Sequence, residues 1–200
     1  MKNQIISYFR KADPVIWQLA VKFRHVSLKP ADDYFLHLAQ TIVSQQLSEQ
    51  AGMVIWSRFE KLFTATGVTA AAVLSKNPLV LHTSGISLSK ANYIQNVART
   101  FINKTIQPRV FSTQSDEEII RQLVSIKGIG RWSAEMFLIF ALGRQDVFSA
   151  GDAGLRRALQ HLYGQSHKLT DQRILEITRS WSPYRSFGCL LLWRSLDNSA

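Results

Sequence analysis

Apolar residues recur at helical spacing along almost the whole chain. Phe35, Leu38, Ala39, Ile42 and Val43 fall at i, i+3, i+4, i+7 and i+8. Ile94, Val97, Ala98 and Phe101 repeat the pattern, as do Leu155, Ala158, Leu159 and Leu162. No run alternates convincingly with period two, and no Asn-Gly or Asp-Gly hairpin signal occurs. Each such helix carries an apolar stripe that must be buried against another element, so the pattern predicts an all-α fold. The spacing places helices at 14–24, 32–47, 49–64, 69–76, 88–104, 116–125, 131–142, 153–163, 171–181 and 184–195. Asp13-Pro14 and Ser182-Pro183 read as N-caps followed by a first-turn proline, Ser115 to Glu118 as a capping box, and Thr170 as a further cap. The segment 131–142 is apolar almost all round, which predicts a helix at the centre of the fold.

The chain has 200 residues, of which 46% are apolar and 19% charged. That excludes a disordered chain and allows one or two domains with a real core. The net charge is +10. Such an excess calls for a polyanionic partner, nucleic acid first and an anionic membrane surface second. The single cysteine, Cys189, excludes an internal disulfide, a Cys-ligated iron–sulfur cluster and a Cys-rich zinc finger, and its apolar surroundings predict a buried thiol. His25, His37, His82, His161 and His167 are scattered and read as structural or surface residues. No apolar run approaches the length of a membrane span and no cleavage signature follows Met1, so an intracellular chain with no membrane partner is expected.

The stretch that carries chemistry runs from Leu123 to Ala134, through Lys127-Gly128-Ile129-Gly130-Arg131-Trp132-Ser133. A helix ends, a Gly-x-Gly turn follows, and a second helix starts at once. The two glycines let the backbone turn tightly and approach a ligand closely. The amides of Gly130 to Ser133 then lie at a helix N-terminus, flanked by Lys127 and Arg131, which suits an anion. The physical reading is a phosphate-binding hairpin; the bland alternative is a tight turn without a ligand.

Leu-x-x-Ile-Lys-Gly-Ile-Gly-x-x-x-Ala resembles the helix–hairpin–helix motif, and Asp146 to Asp152 resembles the Gly/Pro-Asp segment of the helix–hairpin–helix DNA glycosylase superfamily. Three further stretches are similar to its 3-methyladenine DNA glycosylase II (alkylpurine) branch: Ser44-Gln45-Gln46-Leu47-Ser48, Gly85-Ile86-Ser87 with Lys90, and Trp181-Ser182-Pro183-Tyr184-Arg185-Ser186. The resemblance covers residues 32–196. It implies one glycosylase domain over 1–200, two helical lobes with a cleft that exposes Asp152, Trp132 and the hairpin, and no extra N-terminal α/β domain. The middle of the chain would form one lobe and the C-terminal helices the other.

Asp152 precedes Leu155, Ala158 and Leu159, which places it at a helix N-cap, and most aspartates there simply cap. The resemblance makes it the catalytic carboxylate as well. The two roles are compatible, since a helix N-terminus favours negative charge and breaking an N-glycosidic bond builds positive charge on the sugar. Trp132 stands where bifunctional glycosylase–lyases carry a nucleophilic lysine, so a monofunctional hydrolase is implied. Trp132 and Tyr184 match aromatic positions of the base pocket, and Met136 lies where a relative has a tyrosine. An aromatic face attracts a cationic alkylpurine, and the base must be flipped out to be reached. Trp56 and Trp193 read as core residues. Gln46 and Leu47 resemble the residues that fill the gap left by the flipped nucleotide. Lys90, Lys127, Gly128, Gly130, Arg131 and Ser133 are the implied DNA contacts. No cofactor is required, although carbonyls of Val124, Ile126 and Ile129 match those that hold a sodium or potassium ion in relatives. The implied activity is excision of alkylated purines from duplex DNA by a monomer. The alternatives are a same-fold enzyme for another lesion, a non-catalytic helix–hairpin–helix module, and a basic helical protein that binds a membrane or another protein.

Overall fold

The computed structural model describes residues 1–164 and 168–197, so His167 lies outside the described residues. Among them the regular structure is helical throughout, with no strand. α1 (Asn3–Ala12) and α2 (Pro14–Lys22) open the chain. α3 (Tyr34–Ser44), α4 (Glu49–Lys61), α5 (Ala70–Leu74), α6 (Pro78–His82), α7 (Leu88–Ile102), α8 (Asp116–Val124) and α9 (Arg131–Met136) follow. α10 (Ala153–Tyr163), α11 (Asp171–Arg179) and α12 (Arg185–Asp197) complete it. Two compact units result, one from Ala31–Phe137 and the other from Met1–Pro30 with the described residues of Leu138–Ala200.

In the continuous unit α7 packs on α3, α5 and α6, while α3 also meets α4 and α9. The predicted stripes are the buried ones: Phe35, Leu38, Ala39, Ile42 and Val43 of α3, and Ala91, Ile94, Val97 and Ala98 of α7. Burying each large side chain of these stripes contributes roughly 1.5–3 kcal/mol. In the other unit α12 packs on α2, α10 and α11. Asp13 ties it together. One carboxylate oxygen caps α2 by accepting from Val15 and Ile16 N–H, and the other accepts from Tyr163 Oη and Trp181 Nε1, both at 2.8 Å. Cys189 is buried, as expected.

The structure departs from the pattern in five places. α1 was not anticipated, although Ile5, Tyr8, Phe9 and Ala12 fall at i, i+3, i+4 and i+7 and Ile5 and Phe9 are buried. α6 starts at Asn77-Pro78, the same cap-and-proline pair as Asp13-Pro14, yet is five residues long. α3 stops at Ser44 rather than 47, because Gln45 leaves the helical region (ψ 130°) and Gln46 follows in the left-handed conformation (φ 58°). The helix expected over 131–142 is α-helical only to Met136, then continues as a π-helical turn over Phe137–Ala141. Ser182-Pro183 is a cis peptide in a turn before α12, not its N-cap, and Ser182 Oγ donates to Asp146 instead.

Candidate functional site

The hairpin between α8 and α9 is built as its glycines require. Ile129 N–H donates to the Ile126 carbonyl at 3.0 Å, closing the turn. Gly128 has φ 109°, and a Cβ there would fall 2.2 Å from Cγ of Tyr93, so both backbone and packing demand glycine. Gly130 differs. Its φ of −92° and ψ of 173° suit any residue, and a Cβ there would meet nothing within 4 Å. Neither conformation nor packing accounts for this glycine. Gly130 is the N-cap of α9 and has no side chain to cap it, so it presents bare backbone at the start of that helix. Lys127 beside it is exposed, with its carbonyl held by Asn96 Nδ2.

Three expected DNA contacts are engaged within the protein. Arg131 pairs with Glu117 at 2.5 Å and with Glu135 at 2.9 Å, so two carboxylates share its charge. The hydrogen bonds from Arg131 hold the Glu117 carboxyl below its usual range. Ser133 is 2% exposed, and its Oγ accepts from Gln45 Nε2 at 3.0 Å. Lys90, an implied DNA contact, donates from Nζ to the carbonyls of Val43 and Gln45, both at 2.8 Å, and its burial pushes its pKa down. Met136 is 5% exposed, a core side chain of its own unit, while Trp132 is half-buried.

Gln46 and Leu47 stand out from this unit. Both are exposed, Leu47 by 38%. A left-handed non-glycine residue costs about 1–2 kcal/mol, so the turn that projects Leu47 is held by its surroundings. Leu47 is the residue that the resemblance implies as an apolar wedge.

In the other unit Asp152 caps α10, accepting the Leu155 N–H at 2.7 Å on Oδ1, and is 8% exposed. The same oxygen accepts Trp193 Nε1 at 3.0 Å. Trp193 is half-buried and stacks on Phe140 with ring centroids 5.6 Å apart, so it is not the core tryptophan expected. The loop that delivers Asp152 is held along one face of α12. Arg185 Nε donates to Asp146 at 2.7 Å; Ser186 Oγ donates to the Arg144 carbonyl and accepts the Val147 N–H; Cys189 Sγ contacts the Val147 carbonyl at 3.6 Å. Residues 185, 186, 189 and 193 recur at helical spacing, the signal that would have joined Trp193 to this role. Burial opposes the charge on Asp146, but its hydrogen bonds from Arg185 and Ser182 outweigh that and lower its pKa. Tyr184 is half-buried, edge-on to Tyr8 at 5.1 Å, and lines a cavity of about 570 Å³ with Lys2, Ile5, Pro30, Gly143 and Phe187.

The profile of the HhH-GPD superfamily of base excision DNA repair proteins matches residues 39–183. The chain belongs to this superfamily. The alkylbase DNA glycosidase-like protein mag2 of Schizosaccharomyces pombe is 31% identical over 160 residues, which is 78% of this chain and 75% of that protein. Among solved structures, a DNA-3-methyladenine glycosidase from Bacillus halodurans superposes with a TM-score of 0.81 at 30% identity, over 97% of this chain and 89% of that one. The S. pombe 3-methyladenine DNA glycosylase Mag1, solved with abasic DNA, gives 0.84 at 26% identity over 96% of each chain. Within the HhH-GPD frame, the hairpin at 126–130 and the capping aspartate at 152 both fall inside the matched span. Among the described residues no cluster of His, Cys, Asp or Glu could hold a metal, and no helix is long and apolar enough to cross a membrane. A monovalent cation would need backbone oxygens. The carbonyls of Val124 and Ile129 receive no backbone N–H among the described residues, whereas that of Ile126 is taken by Ile129.

Proposed function

We propose that the chain is a monofunctional DNA glycosylase that hydrolyses the N-glycosidic bond of alkylated purines, of the 3-methyladenine and 7-methylguanine type, flipped out of duplex DNA. The observation that carries this is Asp152: a nearly buried carboxylate, fixed at a helix N-terminus by two N–H donors on one oxygen. A negative charge held this way needs no reorganisation when positive charge develops on the sugar, and it can orient the attacking water. The names of the similar proteins support the substrate class.

The remaining residues take supporting roles. The Gly130 backbone and Lys127 bind a DNA phosphate; carbonyls of Val124, Ile126 and Ile129 would hold a sodium or potassium ion that adds positive charge there. Leu47, with Gln46, fills the space left by the flipped nucleotide. Trp132 and Tyr184 offer aromatic faces to a cationic base, whose glycosidic bond is already weakened. Trp132 carries no amine, so no Schiff base forms and the strand is left intact. The acting species is a monomer on damaged duplex DNA inside the cell.

The test is base release from methylated duplex DNA by wild type and Asp152→Asn, with the strand analysed before and after alkali. The expected result is free methylpurine from wild type, a loss of about 10²-fold or more in the variant, and breaks only after alkali. Equal release by the variant would refute the role of Asp152. Duplex binding without release would refute the substrate class.

A further inference from the structure

α7 places three side chains on one face at three-residue intervals, and each meets an element that faces DNA in the proposed function. Lys90 Nζ donates to the carbonyls of Val43 and Gln45 at the end of α3. Tyr93 lies against Gly128, where only glycine fits. Asn96 Nδ2 donates to the Lys127 carbonyl at 3.1 Å. Gln45 closes the set, its Nε2 donating to the Gly128 carbonyl at 3.1 Å and to Ser133 Oγ at 3.0 Å. Lys90 therefore grips the residue whose side chain is anchored in the hairpin. The next residue, Gln46, is the left-handed one that projects Leu47.

We infer that Lys90 is a positioning residue that caps the C-terminus of α3 and, through Gln45, locks the Gln46–Leu47 wedge in register with the phosphate-binding hairpin. A lysine suits this place. The last carbonyls of a helix lack partners and carry the negative end of its dipole, so an ammonium satisfies two of them at once. The charge is thereby spent inside the protein, and Lys90 contributes to DNA binding through geometry rather than through a phosphate. This rests on the proposed reading of Leu47 as the wedge.

The two roles separate by salt. A phosphate contact adds about one to the slope of log affinity against log salt, and removing it lowers that slope by about one. Lys90→Met removes the ammonium but keeps the stem. The probe is duplex DNA with a tetrahydrofuran abasic site flanked by 2-aminopurine, whose fluorescence reports unstacking. The expected result is an unchanged salt slope, loss of the fluorescence response, and base release from methylated DNA lower by about 10²-fold, as for a misplaced catalytic geometry. Gln45→Leu should lose the same response, and the double variant should be no worse than either. Should Lys90→Met fail to fold, Lys90→Gln, which keeps a shorter donor, is read the same way. A slope lower by about one with the fluorescence response intact makes Lys90 a direct phosphate contact and overturns the inference. Additive losses in the double variant overturn the link through Gln45. No fluorescence response from the wild type sinks the wedge itself, and this inference with it.

Discussion

The two glycines of the hairpin should respond to alanine in opposite ways. At Gly128 the chain has φ 109°, and the new Cβ would sit 2.2 Å from Cγ and 2.4 Å from Cβ of Tyr93. Those atoms are near the backbone of α7, so no rotamer change moves both away. The left-handed conformation costs about 1–2 kcal/mol, and forcing a methyl into filled space about 1–3 kcal/mol more. The sum, about 2–5 kcal/mol, lowers Tm by about 4–20 °C in a chain of this size. At Gly130 the backbone is in an ordinary extended conformation with open space around it. Alanine costs only a poorer N-cap there, under about 1 kcal/mol and under about 4 °C. Its methyl nevertheless stands where the proposed phosphate meets the first amides of α9. Losing one charge-assisted hydrogen bond, about 1.5–3 kcal/mol, weakens duplex binding by roughly 10- to 150-fold. Thermal unfolding by circular dichroism and duplex titration by anisotropy, at one ionic strength, measure the two effects. Gly130→Ala binding duplex as tightly as wild type would refute the hairpin's role. A Gly128→Ala Tm equal to wild type would refute the packing argument.

Trp193→Phe keeps the stack on Phe140 and removes one hydrogen bond to Asp152. Discounted for partial exposure to about 1–2 kcal/mol, this slows base release by about 5- to 30-fold with duplex affinity unchanged; an equal further loss in an Asp152→Asn background would deny that the two act together. Arg131 is neutralised by Glu117 and Glu135 whereas Lys127 is exposed, so Lys127→Ala should lower the salt slope by about one and Arg131→Ala by less than half of that. Equal changes would show that the ion pairs open on DNA. His37 has its pKa lowered by burial and its Nε2 has no hydrogen-bond partner among the described residues. Below about pH 6.5 the unfolded chain takes a proton that the fold resists, so this stability is present above that pH and lost as pH falls. His37→Leu should flatten the acid-side decline in Tm; an unchanged decline would assign it to other groups.

Much was legible in the sequence because it is local. Asp13 and Thr170 cap helices by accepting backbone N–H groups, as their spacing predicts, and the Ser115–Glu118 box forms as written. The hairpin and the capping place of Asp152 are of the same short-range kind. The short piece α6 was not legible, since five residues with one buried side chain make no stripe.

The sequence by itself determined the all-α class and most helix boundaries, because helix periodicity and capping are settled within a few residues of chain; the family was legible through the resemblance of its motifs. Only the tertiary structure decided which charges are spent internally. Lys90 meets Val43 at 47 residues' separation, Gln45 meets Ser133 at 88, and Trp193 meets Asp152 at 41. A lysine or arginine reads the same in sequence whether it faces DNA or a carbonyl. What distinguishes the two is the partner that folding brings to it, and no local spacing encodes that partner.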